Sequence, residues 1–177
     1  ADLGRKEYNT PYINKNDNRM TPNTFEAVTV VGKHGGKDGC PSIVWGGGYV
    51  TRIKERNSDE FVPMSEDAGV ASVNHGVGVA AGRYSTKKWS IGLAEYYCED
   101  VLNILYAEGT WQAATRGKLG LKFAGQFTDQ RSTGDELLTG GDFSTSQYGL
   151  KAELGVGNAL FSTAWNGTDG GADLVSP

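Results

Sequence analysis

The chain has 177 residues, a formal net charge of −4 and a mean hydropathy of −0.42. That is enough for one domain, too acidic for a strongly basic nucleic-acid face, and it holds no apolar run of 18 residues and no signal peptide at Ala1. A membrane β-barrel is still allowed, because strands that alternate apolar and polar residues keep mean hydropathy low.

Glycine is frequent (26 residues) and proline rare (5), and Trp, Tyr and Phe make up 10% of the chain. Aromatics with many Thr and Val favour strands. In chain order, the spacing predicts about nine strands: residues 1–7, 24–33, 43–55, 73–84, 88–98, 101–113, 118–130, 146–154 and 158–166. Period-two alternation carries this reading. In 43–54, Ile43, Trp45, Tyr49 and Ile53 oppose Val44, Gly46, Gly48, Arg52 and Lys54. In 89–97, Trp89, Ile91 and Leu93 oppose Ser90, Gly92 and Ala94. In 118–127, Leu119, Leu121, Phe123 and Phe127 oppose Lys118, Lys122 and Gln126. In 147–154, Tyr148, Leu150, Ala152 and Leu154 oppose Gln147, Lys151 and Glu153.

The connections alternate too. Short turns are expected at 86–88, 115–117 and 155–158, and longer polar loops at 9–23, 56–72, 131–145 and from 167 onward. The stretch "KHGGKDGCP" is intermediate, and the turn around Glu99 and Asp100 is tight where a long loop is due. This is an all-β, antiparallel up-and-down meander. Alternation fits two architectures. In a soluble β-sandwich, a binding module for carbohydrate for example, the apolar face is a dry core, with Trp45, Trp111 and Trp165 in the core or stacking on sugar. In a porin the apolar face meets lipid and the polar face lines a lumen. Aromatics near strand ends (Trp89, Trp111, Tyr96, Tyr97, Trp165), a polar face of Gly with isolated Arg and Lys, and strands of ten or more residues favour the porin. Leu119, Leu121, Phe123, Leu150 and Leu154 discriminate: exposed on a single sheet in a porin, buried under a second sheet in a sandwich.

Three stretches resemble the OprD-like outer-membrane porins: "LGRKEYNTPYINKNDNRMTPNTFEA" (3–27), "AAGRYSTKKWSIGLAEYYCEDVLNILYAEGTW" (80–111) and "LGLKFAGQFTDQRSTGDELLTGGDFSTSQYGLKAELGVGNALFSTAWNGTDGG" (119–171). The resemblance implies an 18-stranded transmembrane barrel of the bacterial outer membrane, of which residues 1–177 cover roughly the middle half. It implies passive uptake of small anionic or zwitterionic solutes such as amino acids, peptides and organic acids, by a homotrimer or a monomer in contact with membrane lipid. It also makes residues 9–23 a loop that folds inward and narrows the pore. Tyr12, Ile13 and Met20 would pack on the inner wall, with Arg19 facing the constriction or pinning the loop by a salt bridge. Arg5, Arg52, Lys54 and Arg83 are candidates for a basic lumen wall, followed by Lys122 and Lys151, because a guanidinium fork grips carboxylates. Asp17 and Asp100 are the acids placed near the constriction, and a turn-forming role is the competing reading of Asp100.

Catalysis has little support. His34 and His75 stand apart, and no nucleophile elbow or metal-ligand spacing appears. "GTDGGAD" and "DGC" lack the spaced acids of a calcium loop, and no helix follows "GGKDG" as a phosphate loop requires. Cys40 and Cys98 read as two unrelated thiols. No enzyme activity, cofactor, metal or nucleic-acid partner is expected.

Overall fold

The computed structural model describes residues 1–15, 21–113, 119–170 and 174. Among the described residues, ten strands form one sheet. They are β1 (Asp2–Lys6), β2 (Thr24–Gly35), β3 (Ser42–Lys54), β4 (Val62–Pro63), β5 (Val77–Ser85), β6 (Trp89–Cys98), β7 (Leu102–Ala113), β8 (Leu119–Arg131), β9 (Ser144–Val156) and β10 (Ala159–Gly170). A short helix, α1 (Met64–Asp67), follows β4. Sheet order follows chain order, every pairing is antiparallel, and the two-residue β4 pairs with β3 beyond the point where β5 leaves it. The expected meander is therefore present.

Local chemistry sets the turns. Gly157 takes a φ of 61° in the two-residue link between β9 and β10, a conformation that glycine adopts without a Cβ penalty. At Thr86 the side-chain oxygen accepts the N–H groups of Lys88 and Trp89, closing the β5–β6 turn. The tight β6–β7 turn puts Asp100 at φ 57°, a region Asp tolerates better than most residues. The β7–β8 turn lies outside the described residues.

Three features differ from expectation: the strand expected at 158–166 runs on to Gly170, the short β4 lies in the expected 56–72 loop, and a third concerns β5. The strand expected at 73–84 begins at Val77. Residues 73–75 are captured by α1 instead: the Ser65 hydroxyl donates to the Val73 carbonyl (2.8 Å) and accepts the His75 N–H (3.0 Å), and the Ser65 N–H donates to the His75 carbonyl (3.0 Å). Ser65 is fully buried.

The buried core lies on one face of the sheet, at the end that carries the long loops. Phe25, Val50, Ile53, Val77, Tyr96, Leu102 and Ile104 point there from the strands, and Ile13, Met64, Val70 and Phe143 come down from the connections. Burying each large apolar side chain contributes about 1.5–3 kcal/mol. The loops thus fold onto the sheet and complete its only core among the described residues.

Ser65→Ala is expected to cost about 1–3 kcal/mol locally, since it leaves a buried N–H without its partner. Limited proteolysis should then cut first within 55–76 while the strands stay protected. Unchanged cleavage would show that Ser65 does not hold this connection.

Candidate functional site

Register divides the side chains between two faces. On β6, Ser90, Gly92, Ala94, Tyr96 and Cys98 lie on the loop-covered face, while Trp89, Ile91, Leu93 and Tyr97 lie on the other, bare face. Pairing carries this division across the sheet. The bare face then holds Val28, Val30, Trp45, Leu93, Leu105, Trp111, Phe123, Leu150, Leu154, Phe161 and Trp165, all exposed. Aromatic rings there pack sideways on one another: Trp111 stacks on Phe123 at 5.7 Å, and Tyr148 lies 5.1 Å from Trp165. The Trp45 ring also lies across Gly32 on the neighbouring strand, in the space a Cβ would need.

The loop-covered face changes character along the strands. Its long-loop half is apolar from β2 to β7, where it receives the core, and on β8 and β9 it carries the buried polar residues Thr128, Gln130 and Thr145. Its short-turn half is polar, with Arg83, Ser85, Ser90, Glu108, Thr110, Lys122, Lys151 and Glu153. Arg83 and Glu108 form an ion pair although a strand lies between them. Both are opposite Gly92, and the Glu108 side chain runs over that glycine, so the missing side chain opens the path. Tyr106 donates to Glu108 at 3.1 Å. Glu153 is opposite Lys122 on the adjacent strand (3.7 Å) and also meets Lys151 on its own strand (2.7 Å).

The connection after β1 is fixed to this wall. Tyr12 sits edge-on to Tyr96 (5.7 Å) and Tyr106 (6.4 Å), and its hydroxyl donates to Thr128 (3.0 Å). Ile13 is buried. The Asn23 N–H donates to the Lys15 carbonyl at 2.7 Å, so the two described ends of the segment meet. Arg19, Asp17 and Met20 lie outside the described residues. Between this segment and the wall is a cavity of about 510 Å³ lined by Tyr8, Pro11, Val31, Val44, Ala81 and Tyr106 among others.

The structure separates the basic residues that the sequence grouped together. Arg83 is on the loop-covered wall, with Lys122 and Lys151. Arg5, Arg52 and Lys54 are on the bare face, which corrects their assignment to a lumen ladder. The cause is a bulge: Ala27 is opposite Val50 but Glu26 is opposite Arg52, so Thr51 is the extra residue and the alternation of β3 slips by one. Ile53 turns into the core beside Phe25, and Arg52 and Lys54 turn outward. Arg5 follows Glu26 to the same side, and the two are paired at 2.7 Å. Asp100 is not beside the charged wall either. Its carboxylate accepts the Asp135 N–H (3.1 Å) and its carbonyl accepts the Leu137 N–H (2.8 Å), so it ties the β6–β7 turn to the 132–143 loop. Glu108 was not anticipated on this wall, and Glu153, expected on the polar face with Lys151, was not singled out as a site residue.

Of the five discriminating residues, Leu119, Phe123, Leu150 and Leu154 are exposed and Leu121 is half-buried, and among the described residues no second sheet covers them. This excludes the β-sandwich alternative. A single antiparallel sheet with an apolar bare face and a polar, loop-covered face is the wall of a porin-type barrel. Solved structures agree. The outer membrane protein opdK from Pseudomonas aeruginosa superposes with a TM-score of 0.81 at 20% identity, over 98% of this chain and 46% of that one. A structure of Pseudomonas aeruginosa OpdK with vanillate gives 0.77 at 19% identity, over 98% and 44%. Acinetobacter baumannii OccAB3 gives 0.79 at 15% identity, over 98% and 43%. The chain thus spans less than half the length of these porins. No curated protein sequence is significantly similar to it. The profile of the OprD family of outer membrane porins matches residues 2–175, and the chain belongs to that family. Its members are outer-membrane channels rather than enzymes.

Two outcomes test this geometry. Leu150→Arg, on the lipid-facing side, should destabilise the folded barrel in vesicles by about 2–4 kcal/mol, whereas Gln126→Arg, on the lumen side, should leave its urea midpoint nearly unchanged. Equal effects would contradict the two faces. In the loop crown, burial pushes the Asp67 carboxyl up from 3.8 to about 6, with Glu55 adding to the shift. The folded loop therefore holds this proton more tightly than the unfolded chain. Its stability rises as pH falls through 6 towards 4, and above that window the buried charge costs stability. Asp67→Asn should flatten that dependence and raise hydrogen-exchange protection of 62–70 at neutral pH. An unchanged pH profile would mean Asp67 is solvated.

Proposed function

We propose that this chain forms part of the wall of an outer-membrane channel for the passive, substrate-selective diffusion of small carboxylate-bearing solutes, amino acids, peptides and organic acids among them. The observation that carries the reading is the charge balance of the polar half of the wall. Among the described residues, Lys33, Arg83, Lys122 and Lys151 share this half with Glu108 and Glu153, so cations outnumber acids two to one. These pairs stay partly exposed to the lumen, with side-chain exposures of 49% for Arg83 and 34% for Glu108. A wetted surplus of fixed cations attracts anions while leaving them free to depart, which conduction requires. Vanillate, found with the relative OpdK, is a small carboxylate of this kind.

The segment 9–23 is the proposed constriction. Support comes from its described ends, which pack on Tyr96, Tyr106 and Thr128 and meet at Lys15 and Asn23. Arg19 and Asp17 lie between those ends in sequence, and we assign them to the narrowest part of the passage.

The test is ion selectivity of the barrel that carries these strands, read as a reversal potential in planar bilayers under a salt gradient. Lys122→Ala with Lys151→Ala should shift preference toward cations by about twofold, the size of an exposed charge effect, and Glu153→Gln should shift it toward anions. If both leave selectivity unchanged, the wall does not select by charge. Arg19→Ala should raise conductance and weaken uptake of anionic solutes; if both stay the same, Arg19 is not at the constriction.

A further inference from the structure

The three basic residues that the bulge turns outward have no role in the lumen, and their placement calls for a different partner. Arg5, Arg52 and Lys54 stand together on the bare face at the long-loop end of β1 and β3, around the single acid Glu26. Arg5 lies over the Phe61 ring at 4.4 Å and meets Glu26 through Nε at 2.8 Å and Nη2 at 2.7 Å, which fixes the guanidinium plane and leaves the Nη1 donors for another acceptor. Among the described residues, neither Arg52 nor Lys54 forms an ion pair.

Depth along the strand identifies what they meet. The apolar band on this side runs through Val30, Trp45, Val28 and Tyr49. Arg52 follows Tyr49 by three residues, roughly 10 Å along the strand. An aromatic ring at the edge of an apolar band marks the membrane interface, so the three cations stand at headgroup level, where bulk solvent gives way to lipid. The concentration is local. Across β6 to β10, the outward positions at the same end carry Glu95, Asp129 and Asp169 against Arg131, and Asp129 is already bonded to Arg131 at 2.6 Å. One side of the rim is therefore basic and the other acidic. An even basic collar would suit any anionic surface; a single cluster with two planar guanidinium forks suits a discrete phosphate.

We propose that Arg5, Arg52 and Lys54 form an outward-facing site for the phosphate groups of an anionic lipid in the leaflet at the long-loop end. In barrels of this class the long loops face outside, which makes that leaflet the outer one.

The experiment uses the folded barrel in neutral detergent, with bis-phosphorylated lipid A as the probe. Binding is measured by native mass spectrometry and by titration. Each single change, Arg5→Ala, Arg52→Ala or Lys54→Ala, should weaken binding about fivefold, and the triple variant about a hundredfold. Dephosphorylated lipid A should bind no more tightly to the wild type than to the triple variant. A control at the opposite end, Lys87→Ala with Lys88→Ala, removes two charges as any pair of the three changes does, and should bind like the wild type. Heat-modifiable gel mobility reports folding, and the single variants carry the test if the triple one does not fold. The proposal is overturned if the triple variant binds lipid A like the wild type, or if the control loses as much. It is also overturned if inorganic phosphate alone binds with the same dependence on these residues, since the site would then serve free phosphate. Ion selectivity, read on the same variants, should stay at the wild-type value, which separates this site from the pore reading.

Discussion

Every backbone N–H and C=O inside a membrane must find its partner within the protein, because lipid tails offer none. The antiparallel ladder meets that demand here: each long strand from β2 to β9 pairs along both edges. Once the ladder is continuous, the side chains have only two directions left, and each face must suit its own medium. The bare face answers with Val, Leu, Phe and Trp, packed in lateral aromatic contacts rather than in a core. The other face is free to be polar, because water rather than lipid reaches it. The period of two is thus a consequence of the solvent on each side, and it is written in the order of the residues themselves.

On the lumen side, glycine makes the charge pattern possible. Arg83 and Glu108 belong to strands that are not neighbours, and they meet because Gly92 has nothing to interpose. The pair is half-exposed, so its contribution to stability is small, about 0–1 kcal/mol. What it does is fix a cation and an acid at one height on the wall. Glu153 does the same for Lys122 and Lys151. These contacts hold charge on the wall; the hydrophobic core at the other end holds the loops.

Strand existence and order were legible in the sequence because the alternation is long and repeated. The apolar membrane face was legible for the same reason, at Leu119, Phe123, Leu150 and Leu154. The phase of β3 past Val50 was not. By strict alternation, Val44, Gly46, Gly48, Arg52 and Lys54 share a face, and nothing in "YVTRIK" announces that Thr51 is extra. A bulge is set by the partner strand, here by the need of Phe25 and Ile53 to enter the same core. Arg5 was misplaced with them, since a five-residue strand with adjacent Arg and Lys gives no phase of its own. The capture of residues 73–75 by Ser65 was also hidden, because it depends on a helix of four residues that no periodicity can reveal. Glu108 and Glu153 were not picked out because the acids were sought in the loop and at the hairpin tip, at Asp17 and Asp100, although both glutamates follow the alternation of their strands.

The division of the inner wall explains where a connection can fold onto it. A polar connection folds inward only where it can bury something, and a wall of Arg, Lys, Glu and Ser offers it nothing dry. Toward the long-loop end the same strands present Val77, Tyr96, Leu102 and Ile104 to the inside. Tyr12 and Ile13 of the first connection, Met64 and Val70 of the second and Phe143 of the third all converge there. The strands below stay uncovered, and their charges stay wet. The inward-facing positions change from apolar to charged between the row of Tyr96 and Ile104 and the row of Arg83 and Glu108, and the buried contacts of the described connections lie on the apolar side of that boundary. A loop of different sequence on this wall would still be drawn to the apolar rows, and a charged row moved upward would release it.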